Sequence, residues 1–233
     1  MIRNYYKKHF LIGGFFLFMI LGIAFLNPPG NGESYYWILY NRAYACMFYI
    51  PLFFYGMIPV LSDFFFAEGI VRYGKRDELV YSYAGRVFCF AVYYAMVFFI
   101  VSQIAGGVYG TSILPERGVG FLFTEFFLQV AGWCFLGLVF MLLYLLIRHF
   151  AAVWGVCVVS ISFITAIGET FPEQSAIRYI LSPYHALYQN VLMKSNIVAL
   201  KAFMAQGFLS LILLLLIVRF FKRADVLKRG DVE

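Results

Sequence analysis

Between Gly69 and Lys75 the chain reads Gly-Ile-Val-Arg-Tyr-Gly-Lys, the spacing of a phosphate-binding loop whose backbone N–H groups cradle a nucleotide and whose lysine reaches the outer phosphates. Arg76 follows where Ser or Thr would have to hold magnesium. Such a loop also needs a strand before it, a helix after it and a parallel sheet behind it, and the short polar stretch 67–86 between two apolar runs cannot build that domain. Phosphate chemistry is therefore rejected for this segment. ATP and magnesium, if they serve this protein, belong to another chain.

The remaining reactive side chains do not converge in sequence. His9, His149 and His185 stand alone, none with Cys, Asp or Glu at ligand spacing, so no metal site is expected. Cys46, Cys89, Cys134 and Cys157 each lie inside an apolar run without a CxxC or CxxH pattern and read as small membrane-core side chains. Intramembrane proteolysis would require paired acids, an HExxH, or Ser and His on facing spans, and none is present. Ion-coupled transport would require ionisable groups at mid-depth, whereas Arg42, Asp63 and Glu125 all fall near the ends of apolar runs. That placement argues against a proton or sodium relay. No catalytic residue is expected on this chain.

The elements that carry these residues are set by composition. Of 233 residues, 63% are apolar and 21% aromatic, and the mean hydropathy is +0.83. Soluble domains have about 45 to 50% apolar residues. An all-α, polytopic integral membrane protein is the expected class. The net charge of +6 could suggest nucleic acid. The positions of the bases decide otherwise: most of the 18 Lys and Arg cluster at 3–8, 72–86, 148 and 219–229, places that alternate with apolar runs as cytoplasmic segments do. The other bases, Arg42, Arg117, Arg178, Lys194 and Lys201, are matched by Glu33, Glu116, Glu125, Glu169 and Glu173. No nucleic-acid partner is expected, and the basic excess reads as topology.

Six spans follow, in a single transmembrane domain with both termini cytoplasmic. Residues 1–9 form a basic, aromatic lead-in suited to the lipid interface, and also readable as a simple positive-inside anchor. The first span, 10–26, ends in Asn27, Pro28 and Pro29 with no small-x-small cleavage site, so it reads as uncleaved. Tyr35, Tyr36 and Trp37 supply an aromatic belt before the second span, 40–66. There Pro51 and Pro59 remove backbone donors, and with Asp63 near the inner end they mark either a moving hinge or a static kink. The charged stretch 67–86 faces the cytoplasm. Spans three to five are 87–108, 119–147 and 151–167, the last two joined by so short a turn that they must be antiparallel neighbours. Ala151 and Gly155 offer a weak close-packing signal on span five.

The segment 168–196 is too polar to span. Ser182 and Pro183 make a helix start, and Tyr184, Leu187, Tyr188, Val191 and Leu192 continue at helical spacing, so short helices are expected on the outer side. Span six, 197–221, leads to a soluble tail, 222–233.

This order of parts resembles the type-2 permeases of ATP-binding-cassette (ABC) exporters: a basic lead-in, a charged inner loop after span two, a minimal loop between spans four and five, and helices between spans five and six. Ile70-Val71-Arg72-Tyr73-Gly74-Lys75-Arg76 is similar to the arginine, tyrosine, glycine, basic pattern of that loop in many bacterial members. The resemblance implies a coupling helix that docks on a cytoplasmic ABC ATPase. It gives that role to Ile70, Val71, Arg72, Tyr73, Lys75 and Arg76, with Asp77 and Glu78 as partners for ATPase bases. It further implies a homodimer or a pairing with a similar permease in the bacterial cytoplasmic membrane, in contact with membrane lipid. The aromatic wall suits an amphipathic or apolar cargo, first an antimicrobial or cytolytic peptide, then a lipid or drug. The alternative is a non-transporting membrane sensor or scaffold, for which the bases of 72–86 would set topology alone.

Overall fold

A computed structural model of the chain describes residues 14–15, 18–23, 25–26, 32–62, 76–110, 114–168, 170 and 196–223. The described residues are helical apart from short turns, with no strand among them. Five of their helical stretches are long and apolar enough to cross a membrane, so the protein is an all-α, multi-pass membrane protein. The expected first span lies largely outside the described residues. Its helical part, 18–23, buries Ile20 and Ile23 and exposes Phe18, and the Tyr109 hydroxyl donates to the Leu21 carbonyl at 3.2 Å. The lead-in 1–9, the outer segment 171–195 and the tail beyond Arg223 also lie outside them.

A short helix, α1 (Gly32–Leu39), precedes the five spans α2 (Arg42–Leu61), α3 (Arg76–Val108), α4 (Leu114–Ile147), α5 (Phe150–Gly168) and α6 (Asn196–Arg223). Pairs of touching residues fix their directions. Gly137 of α4 meets Val87 of α3, while Gln129 meets Tyr40 just before α2, and Tyr94 of α3 meets Tyr49 of α2. Spans α2 and α4 therefore both run against α3. At one end Lys222 of α6 contacts Asp77 at the start of α3; at the other Tyr35 of α1 donates to the Ser102 carbonyl at 2.8 Å.

Two spans differ from the expected bounds. Span α3 begins at Arg76, not Val87, because Asp77 and Glu78 lie in its first turn, where acids favour the helix dipole. At 33 residues it is about 50 Å long, well beyond a hydrocarbon core of roughly 30 Å. Its charged end projects past the apolar slab. Span α4 carries a break at Gly118, with φ 76° and ψ 172°, a conformation that costs a side chain with a Cβ. From Gly118 to Ile147 it is continuous, as the sequence predicts.

The link between α4 and α5 is as short as expected. Arg148, at φ 57°, takes the left-handed turn and its N–H donates to the Tyr144 carbonyl at 2.9 Å, closing α4. His149 then caps α5: its Nδ1 accepts from the Ala152 N–H at 3.3 Å. Tyr144 and Phe150 stack across the turn with centroids 4.0 Å apart.

The core is aromatic. Phe53 of α2 lies against Trp133 of α4 at 4.9 Å and against Tyr94 of α3 at 5.1 Å, and Tyr94 meets Trp133 at 4.8 Å. Such offset and edge-on pairs contribute about 0.5 to 1.5 kcal/mol each beyond the area they bury. Close approach is made at Gly137, where a Cβ would fall 2.5 Å from Val87 Cγ1 and 3.5 Å from Phe53 Cζ. Within the chain the close-packing site expected on α5 meets no neighbour: Ala151 is exposed and a Cβ at Gly155 would meet nothing within 4 Å.

Candidate functional site: a charged helix end, an irregular turn and a buried polar cluster

Of the residues assigned to ATPase coupling, Ile70, Val71, Arg72, Tyr73 and Lys75 lie outside the described residues. The backbone of Arg76 opens α3, and Asp77 and Glu78 follow in its first turn. The Asp77 carboxylate meets Lys222 Nζ at 2.7 Å, joining the charged end of α3 to the last turn of α6. Asp77 is thus engaged within the chain; Glu78, next to it, is exposed to solvent. On the next turns Arg86 lies 4.4 Å from the centre of the Tyr83 ring, a cation–π contact. The end of α3 is a braced, charged stub.

Along α2 the irregularity lies just ahead of Pro51. Residues Ala45–Tyr49 form one π-helical turn, with the Ile50 N–H reaching back five residues to the Ala45 carbonyl. Pro51 has no N–H to return to the preceding turn, so the wider turn absorbs the missing bond. Two other spans brace it. Tyr94 of α3 donates its hydroxyl to the Tyr49 carbonyl at 2.6 Å, and Trp154 of α5 donates its Nε1–H to the Pro51 carbonyl at 3.0 Å. Pro59 lies inside the following helix, where Ser62 Oγ donates to its carbonyl at 3.1 Å. Asp63, the third residue of the proposed hinge, lies outside the described residues.

Sequence reasoning missed the third feature. Glu125 and Gln129 are one turn apart on α4, each 1% exposed, at the end of the bundle that holds α1. The Gln129 amide donates to the Tyr40 hydroxyl at 3.1 Å, and the Gln103 amide of α3 donates to the Tyr36 hydroxyl. Tyr36 and Tyr40 meet edge to face at 5.3 Å; Phe121 and Phe98 close over them at 6.0 and 5.7 Å. Tyr40 and Gln129 lie beside the Glu125 carboxyl, yet neither of its oxygens has a well-aligned donor, and Gln129 Oε1 also lacks one. Burial, and next to it the charge of Glu125, push the Tyr36 hydroxyl above its ordinary range; burial does the same first for Tyr35.

Glu125 falls near the start of its span, as the sequence implied, but that position does not put it in water. Tyr40 and Gln129 lie beside its carboxyl, and Tyr36 of α1 is close enough to feel its charge. Only the i, i+4 spacing of Glu125 and Gln129 hinted at a shared face. Among the described residues no group of three or more His, Cys, Asp or Glu gathers, and the four cysteines are free thiols.

Compared with known proteins, the chain matches no family model, no curated protein and no solved structure. Any activity must be argued from its own residues.

Proposed function

We propose that this chain is the membrane-spanning permease subunit of an ABC exporter, driven by a separate cytoplasmic ATPase that docks on Ile70–Glu78. The observation that carries the reading is the unbroken helix α3. It joins the charged end at Arg76 directly to Tyr94, whose hydroxyl holds the irregular turn of α2. A helix is stiff along its axis, so a push at its charged end is delivered to the aromatic core instead of being lost in a loop. The Asp77–Lys222 contact hands part of the same displacement to α6. Pro51 and the π turn are the place where α2 yields, since one backbone bond is already missing there.

The subunit works as a pair, either a homodimer or one partner of a similar permease. Spans α5 and α6 keep most of their apolar side chains exposed, among them Val159, Phe163, Phe208 and Leu215, and these face lipid or the second subunit. The aromatic interior suits an amphipathic peptide cargo, carried across a bacterial cytoplasmic membrane. The test is flux in sealed vesicles holding the chain and its ATPase partner. ATP-dependent movement of an amphipathic peptide is the expected result, and movement of a polar sugar with no peptide transport would refute the assignment.

A further inference from the structure

We propose that Glu125, Gln129 and Tyr40 form a binding site for one monovalent alkali cation inside the bundle. Three acceptor oxygens without a well-aligned donor belong to two residues one helical turn apart: both carboxylate oxygens of Glu125 and Oε1 of Gln129. Both residues are 1% exposed, so water does not reach them from the surface. Buried carboxylates are paired or coordinate a metal ion, because an ionised group left alone in an apolar interior costs several kcal/mol. Among the described residues no Lys, Arg or His bonds to these oxygens.

The chemistry of the shell fixes the charge of the guest. One carboxylate surrounded by neutral oxygens balances a single positive charge, whereas calcium and magnesium sites gather several carboxylates or waters. The Tyr40 hydroxyl oxygen, which accepts from Gln129 Nε2, lies beside the Glu125 carboxyl and offers a fourth oxygen. Tyr36, its hydroxyl already taken up by Gln103, closes the side toward α1. A cation seated there ties α4 to the residue just ahead of α2, and through Tyr36 and Gln103 to α3. It thereby braces the end of the bundle opposite the charged stub. This site does not depend on the exporter assignment; it is a property of the chain alone.

The test uses the purified full chain in phosphatidylcholine nanodiscs at one pH and constant ionic strength, in sodium, potassium or N-methyl-D-glucamine chloride. The wild type is expected to unfold at a saturable, higher temperature, by about 3 °C or more, in sodium or potassium than in the organic cation. Glu125→Gln should abolish that rise, and binding of radioactive sodium or rubidium should fall to background with it. Should Glu125→Gln fail to fold, Gln129→Leu carries the same comparison. Equal unfolding temperatures of the wild type in all three salts, or a rise that survives in either variant, would overturn the site.

Discussion

The Tyr94 hydroxyl donates to the carbonyl of Tyr49, the last residue of the π turn, at 2.6 Å. This bond couples the long third span to the weakest point of the second. Removing it with Tyr94→Phe should destabilise the protein by about 1 to 2 kcal/mol, since a buried carbonyl loses its donor while the ring stays in place. Thermal unfolding in detergent measures this. In the exporter reading, transport should fall by more than stability alone explains.

Close packing at Gly137 gives a sharper contrast. Gly137→Ala should cost about 1 to 3 kcal/mol by overpacking, because the new methyl would meet Val87 Cγ1 at 2.5 Å. Val87→Ala in the same chain should recover part of the loss, a coupling expected of residues in contact. Gly155→Ala, where nothing lies within 4 Å, should be close to neutral. Unfolding measurements on these three variants and on Val87→Ala alone decide it, and an unperturbed Gly137→Ala would contradict the packing.

The Asp77–Lys222 contact predicts a cross-link. Asp77→Cys with Lys222→Cys should be joined by a short bifunctional methanethiosulfonate reagent, which spans the length of the lost lysine side chain, seen as a gel shift reversed by reductant. If the base of α3 moves against α6 during transport, this cross-link should also stop ATP-dependent flux, and reduction should restore it.

Alkaline pH should unfold the end of the bundle around α1. Burial raises the folded-state pKa of Tyr35 and Tyr36 above the ordinary value of 10.0. Their contribution to stability is therefore full below pH 10 and is lost as pH rises toward the folded-state values. Absorbance at 295 nm should show these two hydroxyls ionising only together with unfolding, and Tyr35→Phe should reduce the pH dependence.

Much of the helical frame could be read from the chain because the bilayer enforces it. Apolar length places α4 and α5 within a residue or so, and Arg148–Phe150 is too short to allow anything but an antiparallel pair. The start of α3 was not legible in the same way. Charge marks where a helix leaves hydrocarbon, not where it ends, and the helix continues through Arg86 to Arg76. Pro51 signalled an irregularity in α2, but the wider turn lies ahead of it because the missing bond belongs to the preceding residues. Glu125 was legible in position and not in burial: its neighbours include Tyr40, and Tyr36 of α1, and the contacts of these rings with α3 and α4 arise only in the folded bundle.

The proposal that α3 is driven from its charged end is tested most directly by ATP hydrolysis in the complex isolated with this chain from native membranes. A co-purifying ATPase whose hydrolysis rate rises with peptide cargo is the result expected, together with loss of the ATPase from the complex in Arg72→Glu/Arg76→Glu. A double variant that retains the same ATPase, the same stimulated rate and the same flux would contradict it.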